Sequence, residues 1–145
     1  MAQASGDSPA SQADQTTTSA DGSFRFAVSP TIRTTYSVLW QDSKSSPTTI
    51  SVRPRLGVGL RGRFFRVRAT SDHSYAGHFV LVQRRRVNGF SWFSVKRVFL
   101  GASSQAGFHV GLPHGRWLVR IAMPASQAGS GYLAGLSRVV AVRHR

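Results

Sequence analysis

Two arginine-rich segments are the parts of the sequence whose residue types are best suited to binding chemistry. In Arg61-Gly-Arg-Phe-Phe-Arg-Val-Arg68, an extended strand would place Arg66 and Arg68 on one face, because side chains alternate along a strand. The triplet Arg84-Arg85-Arg86 lies beside Asn88-Gly89, where the exposed end of a hairpin is expected. Guanidinium groups bind phosphate and carboxylate through paired hydrogen bonds. The predicted polyanion-binding residues are therefore Arg63, Arg66, Arg68, Arg84, Arg85 and Arg86.

The charge balance supports the same chemistry. The chain has 19 Lys and Arg against 5 acidic residues, a formal net charge of +14, and only two of the cations are lysine. Such a field attracts nucleic acid, anionic cell-wall polymers, acidic polysaccharides and lipid headgroups in a salt-dependent way. The alternative is a general compositional bias toward arginine, with solvated cations on strand faces that oppose edge-to-edge pairing.

Acidic catalytic groups are scarce. The five acids are all aspartate, and only Asp21, Asp42 and Asp72 follow the polar N-terminal segment, too few for a reliable carboxylate pair. A Ser/His/Asp arrangement using Asp72 would lack the Gly-x-Ser-x-Gly turn of many hydrolases. No catalytic residue is predicted.

Metal and cofactor motifs are equally scarce. The chain has no cysteine, which removes disulfides, thiolate chemistry and the usual ligands of structural zinc. Two histidine pairs are spaced five residues apart, unlike the helical spacing of metal sites, namely His73 with His78 and His109 with His114. Gly57-Val-Gly-Leu-Arg-Gly62 lacks the strand and helix context of a phosphate-binding loop. No metal site and no cofactor are predicted.

The elements that would carry these arginines are predicted to be strands. After Phe24, short apolar segments alternate with Gly, Pro, Asn and Ser clusters without a sustained helical period, which predicts an all-β sandwich or barrel. No apolar run reaches the roughly 18 residues that a membrane helix needs. The predicted strands are Ser23–Val28, Thr35–Trp40, Thr48–Arg53, Leu56–Leu60, Phe64–Ala69, His78–Arg86, Phe90–Leu100, Gly107–Gly111, Trp117–Ala122 and Arg138–Arg143.

One hairpin is predicted in detail. Asn88-Gly89 tolerates the positive φ angles of a two-residue type I′ turn. Phe79–Val82 does not alternate, which indicates either that both faces of this strand are covered or that it contains a bulge. The turn sets a register that opposes Val82 to Val95, Arg84 to Phe93 and Arg85 to Trp92.

The two ends of the chain look like versions of one strand pattern. Residues 1–20 are polar and predict a flexible leader. Residues 21–53 would then be the last three strands of one module and residues 54–145 a complete module; chance similarity between short strands is the alternative. The matched segments are Gly22–Val28 with Ala106–Leu112, Tyr36–Val38 with Trp117–Val119, and Ile50–Val52 with Val140–Val142.

These segments, together with Gly77–Arg84, Gly89–Val95 and Gly131–Val142, resemble the tandem immunoglobulin-like or fibronectin type III-like repeats of secreted and surface proteins from actinobacteria and related bacteria. The resemblance covers most of the chain after the leader and implies an immunoglobulin-like antiparallel β-sandwich. It also implies that Tyr36 and Trp117 are corner aromatics near a penultimate strand, where ordinary core packing is the alternative.

The resemblance and the missing catalytic chemistry predict a non-catalytic structural or adhesive module at the surface of, or outside, a bacterial cell. Its partners would be neighbouring domains, surface proteins or anionic cell-wall polymers. The first residues do not form a secretory signal peptide, so an export signal is expected to have been removed or to lie outside this chain. Two alternatives remain: a basic β-protein that binds nucleic acid, and an accessory domain of a secreted enzyme.

Overall fold

The computed structural model describes residues 2–4 and 9–145 and is almost entirely β-structure. The chain forms two compact units, Met1–Val52 with Ser130–Tyr132, and Arg53–Gly129 with Leu133–Arg145. Within the described residues the helical structure is confined to α1 (Ala125–Ala128), and no helix has the length and hydropathy needed to cross a membrane. The prediction of an all-β fold built from antiparallel sheets is confirmed.

The first unit contains short strands. Three of them form an antiparallel sheet in the order β1-β2-β5, and two more form a small hairpin. The first of these strands lies within residues 1–20, which were predicted to be a flexible leader without a strand. The strands are β1 (Ala2–Ala4), β2 (Thr34–Tyr36), β3 (Leu39–Trp40), β4 (Ser43–Lys44) and β5 (Thr48–Ile50).

The first segment of the proposed repeat is not a strand. Ser23–Val28 makes no ladder, and the Phe24 side chain is half exposed. In the proposed repeat, Tyr36 corresponds to Trp117 and Val52 corresponds to Val142. Trp117 pairs with Val142, so Tyr36 should pair with Val52, but it pairs with Thr48. The prediction that Ser23–Val28 is a strand is therefore wrong, because local alternation supplied no partner strand.

The second unit holds two antiparallel sheets packed as a sandwich. We call the sheet of order β6-β7-β10 the first sheet; the second sheet has the order β9-β8-β11, with β12 and β13 both on the remaining edge of β11. The strands are β6 (Arg55–Arg61), β7 (Phe64–Thr70), β8 (Phe79–Arg86), β9 (Phe93–Phe99), β10 (Gln105–His109), β11 (Gly115–Met123), β12 (Gly135–Leu136) and β13 (Val140–His144).

The core of this unit comes from the inward residues of both sheets. β7 alternates strictly between exposed and buried positions, as its sequence predicts. The rings of Phe65 on β7 and Phe108 on β10 stack at 5.6 Å. Tyr75, in the connection after β7, is completely buried and donates a hydrogen bond from its hydroxyl to the Ala128 carbonyl (3.2 Å). The largest completely buried side chains are Phe65, Val67, Tyr75, Val80, Val82, Val119, Ile121 and Met123.

The β8–β9 hairpin differs from its prediction in the turn. The Gly89 amide bonds to the Arg86 carbonyl (2.9 Å), but neither Asn88 nor Gly89 has a positive φ, so the turn is not type I′. Six residues, 87–92, separate the strands.

The predicted register of this hairpin is correct only at the end next to the turn. Arg84 faces Phe93 as predicted, but Val82 faces Lys96 rather than Val95. The shift comes from an extra residue in β9, Val95, which lies between the partners of Val82 and Gln83. In β8 itself, Val80 and Val82 are buried and Phe79 and Leu81 are half-buried, so apolar residues occupy both faces of that strand.

Candidate polyanion-binding surface

An exposed row of arginines crosses the outer face of the first sheet. Arg66 and Arg68 lie on β7, and Arg55 and Arg61 lie on the neighbouring β6; all four are exposed. We call these four residues the arginine face. Within the described part of the chain, none of their guanidinium groups makes a hydrogen bond or an ion pair. Arg63 lies in the turn that joins the two strands and is also exposed.

Glycines on β6 leave one side of the arginine face open. Arg66 pairs with Gly59 on β6 and with Gly107 on β10, and Arg68 pairs with Gly57. Gly57 and Gly59 have no side chain to cover the guanidinium groups or the peptide groups between β6 and β7. A flat ligand could therefore approach the backbone of this face closely.

An aromatic pair borders the arginine face. The ring of Phe64 lies directly over Gly107, where an added Cβ would collide with the Phe64 ring. The same ring contacts His109 edge-on at 5.2 Å. Phe64 thus covers part of the glycine backbone while remaining 39% exposed. The arrangement supplies an apolar surface beside the cations.

The triplet Arg84-Arg85-Arg86 is not a single cluster. Successive strand residues point to opposite faces, so Arg84 and Arg86 lie on the side of Trp117, and Arg85 lies on the outer face of the second sheet. The guanidinium carbons of Arg84 and Arg86 are 4.8 Å and 5.4 Å, respectively, from the Trp117 ring centroid. The six arginines predicted from the sequence are therefore divided between two sheets.

Trp117 has the hydrogen bond expected of a corner aromatic. It stands near the start of β11 and is buried, and its indole Nε1 donates to the Pro113 carbonyl four residues upstream (2.8 Å). The bond resembles that of the tyrosine corner, whose hydroxyl also returns to upstream backbone. Tyr36, the other predicted corner aromatic, is half-buried in β2.

A second aromatic and arginine cluster lies on the outer face of the second sheet. The guanidinium carbons of Arg85 and Arg120 are 5.1 Å and 4.2 Å from the centroid of the Trp92 ring. The predicted contact of Arg85 with Trp92 is therefore present as a cation–π contact. Arg120 was missed from the sequence, because it joins this cluster through the pairing of β8 with β11, which are distant in sequence.

Arg120 is held in a defined orientation. Its Nε donates to Gln83 Oε1 (2.9 Å), and the Gln83 amide nitrogen in turn donates to Ser94 Oγ (3.3 Å). Burial, and to a lesser extent the nearby charge of Arg85, lowers the pKa of the Arg120 guanidinium. The two cations are thus close enough to repel each other.

Ser71, Asp72 and His73 are adjacent but do not have the geometry of a catalytic triad. Ser71 Oγ and Asp72 Oδ1 both approach the same ring nitrogen, His73 Nδ1, at 3.1 Å and 3.4 Å. A triad needs the nucleophile on one imidazole nitrogen and the carboxylate on the other. The imidazole therefore cannot relay a proton from this serine while the aspartate orients it.

Metal-ligating side chains do not converge in the described residues, where no group of three or more His or Asp could hold an ion. No protein-family model matches the chain, and no curated protein is significantly similar to it.

Proposed function

We propose that this chain is a non-catalytic immunoglobulin-like module of a secreted or cell-surface bacterial protein, and that its arginine face contacts an anionic envelope polymer. The observation that carries the proposal is the arginine face itself. Four exposed guanidinium groups share one sheet face with glycines, and no acidic side chain in residues 2–4 and 9–145 pairs with them.

The strand order supports an immunoglobulin-like module. In the constant-type arrangement, strands 1, 2, 4 and 5 form one sheet and strands 3, 6 and 7 form the other. In the second unit, β6, β7 and β10 correspond to strands 1, 2 and 5, and β8 and β11 to strands 3 and 6. Strand 4, β9, joins the second sheet instead of the first. The Trp117 hydrogen bond lies at the corner between strands 5 and 6, where the related sandwiches place their tyrosine.

The distribution of charge supports a polyanion as the ligand. Sixteen of the 19 Lys and Arg residues belong to the second unit, whose sole acid is Asp72, whereas the first unit has three cations and four aspartates. The attractive field is therefore a property of the sandwich that carries the arginine face.

Nucleic acid is the second candidate ligand, favoured by one observation. The exposed Phe64 ring beside Arg66 and His109 is the kind of surface on which an unpaired base can stack. Duplex DNA offers phosphates but no accessible base faces, so single-stranded and duplex DNA separate stacking from charge attraction.

A salt titration with matched variants tests the proposal. Binding of a teichoic acid-type polymer, single-stranded DNA and duplex DNA would be measured with the full chain at increasing salt. The double variant Arg66→Gln/Arg68→Gln is compared with Arg143→Gln/Arg145→Gln, which removes the same charge from exposed positions at the chain end.

We expect the first variant to weaken polymer binding at least about tenfold and to reduce the salt slope by about two, since each phosphate contact contributes about one. The second variant should have a much smaller effect. Equal losses in both variants would contradict a role for the arginine face, and a preference for single-stranded DNA that persists at high salt would favour the nucleic-acid function.

A further inference from the structure

The outer face of the second sheet carries a pair of arginines that the proposed function does not use. Arg85 and Arg120 are diagonal neighbours on β8 and β11, since Arg85 pairs with Leu118 and Arg120 pairs with Gln83. This face is on the opposite side of the sandwich from the arginine face. The pair is therefore a separate feature from the arginine face.

The two guanidinium groups are held by the protein rather than free in solvent. Both lie against the Trp92 ring, and Arg120 is fixed further by the chain of hydrogen bonds through Gln83 to Ser94. All three contacting residues, Arg85, Arg120 and Trp92, are half-buried. Because these long side chains are already oriented, binding a ligand costs less side-chain entropy.

The pair lacks a neutralising partner. Neither guanidinium group forms an ion pair within the described residues, and Arg85 Nε is buried without a hydrogen-bond partner there. Holding two like charges together is unfavourable unless an anion lies between them. The guanidinium carbons of Arg85 and Arg120 lie 5.1 Å and 4.2 Å from the centroid of the Trp92 ring. Guanidinium N–H groups are suited to paired hydrogen bonds with an oxyanion.

We propose that Arg85, Arg120 and Trp92 form a binding site for a phosphate-type oxyanion, with a phosphomonoester as the preferred ligand class. The charge match favours this class, because a phosphomonoester carries close to two negative charges near neutral pH and a carboxylate carries one. Arg120 donates through its terminal nitrogens, since its Nε is engaged by Gln83. Gln83 is a positioning residue that acts through Arg120.

The test is a titration of the full chain with inorganic phosphate at pH 8 and constant ionic strength, followed by the indole N–H signals in ¹H–¹⁵N spectra. The chain has three tryptophans, so Trp92→Phe assigns the signal of Trp92. Sulfate, acetate and chloride are the comparison anions. Constant ionic strength removes general screening from the comparison.

We expect a saturable shift of the Trp92 signal with phosphate, a weaker one with sulfate, and no saturation with acetate or chloride. Arg85→Gln and Arg120→Gln should each weaken phosphate binding about tenfold, the loss of a charge-assisted hydrogen bond. Gln83→Leu keeps both charges and should weaken binding less. Arg97→Gln is the matched control. Arg97 also lies over an aromatic ring of this sheet, 4.3 Å from the Phe79 ring centroid, but no second guanidinium of the described residues contacts that ring.

A linear shift that is equal for all anions, or an equal effect of Arg97→Gln, would overturn the proposal. The Trp117 signal, from the buried corner aromatic, reports whether each variant remains folded. The double variant Arg66→Gln/Arg68→Gln should keep its phosphate site, so failure of the phosphate site and failure of the arginine face are distinguishable.

Discussion

At the scale of single residues, local alternation explains which functional side chains could be predicted. Arg66 and Arg68 are two positions apart on a strand, so their common face follows directly from the sequence. The same rule places Arg85 on the opposite face of β8 from Arg84 and Arg86, so the triplet does not form one cluster. Arg120 could not be found in this way, because its partners come from a strand distant in sequence.

The buried hydroxyl of Tyr75 predicts that the stability of the fold depends on pH. Burial is the main reason that the pKa of its hydroxyl is raised above 10.0, although a hydrogen bond with Ser71 opposes this effect. Because the pKa is higher in the folded state than in the unfolded state, the neutral hydroxyl contributes its full stability below about pH 10. That contribution is lost as the pH rises through the folded-state pKa.

We therefore expect the melting temperature to fall steeply at alkaline pH and to fall less steeply in Tyr75→Phe. The variant should be less stable at neutral pH by about 1 kcal/mol, the net value of its hydrogen bond to Ala128. Calorimetry between pH 8 and 12 measures both effects. Tyr36→Phe is the control, and a steep alkaline decline that is unchanged in Tyr75→Phe would contradict the assignment.

At the scale of elements, strands with strict alternation and nearby partners were predictable. β6 and β7 were predicted within about one residue at each end, since both are amphipathic and joined by a short turn. The Ser23–Val28 segment alternates equally well but forms no strand. The β9 register failed because a bulge adds one residue, which no local pattern located. Alternation therefore predicts a face, while the partner strand decides whether a strand forms.

The edge of the second sheet that β12 and β13 share is interrupted, and the interruption predicts which residue there contributes to stability. β12 and β13 are separated where Ser137 inserts its hydroxyl into the ladder. The Ser137 amide donates to the Ile121 carbonyl (2.9 Å), and the Ile121 amide donates to Ser137 Oγ (2.9 Å). The side chain thus replaces a backbone acceptor for a completely buried residue.

Ser137→Ala should destabilise the second unit by about 1 to 3 kcal/mol, because it leaves the buried Ile121 amide without its acceptor. Urea unfolding measures this loss. Ser137→Thr, which keeps a hydroxyl, should be less destabilising, and Ser103→Ala, at an exposed turn, should be neutral. If the Ser137→Ala and Ser103→Ala variants were equally stable, the hydroxyl would have no role in the ladder.

Across the whole molecule, the two units differ in both net charge and fold. The second unit carries nearly all of the positive charge, and its two sheets present different arginine arrangements on opposite faces. On the first sheet the guanidinium groups are open and spaced along strands; on the second they are paired against Trp92. An extended polymer suits the first arrangement and a single phosphate group the second. The net charge can be counted from the sequence, but it does not predict these two arrangements. They form only when strands that are distant in sequence pair with each other.

A map of backbone amide shifts in ¹H–¹⁵N spectra, recorded as the full chain binds a teichoic acid-type polymer at physiological salt, would locate the binding surface. The amides of Gly57, Gly59 and Gly107 are the reporters, since they lie beside Arg66 and Arg68 on the open face. We predict that the largest shifts occur at these glycines and disappear in Arg66→Gln/Arg68→Gln. Shifts that are spread evenly over the second unit, or concentrated in the first unit, would contradict the assignment of the arginine face as the binding surface.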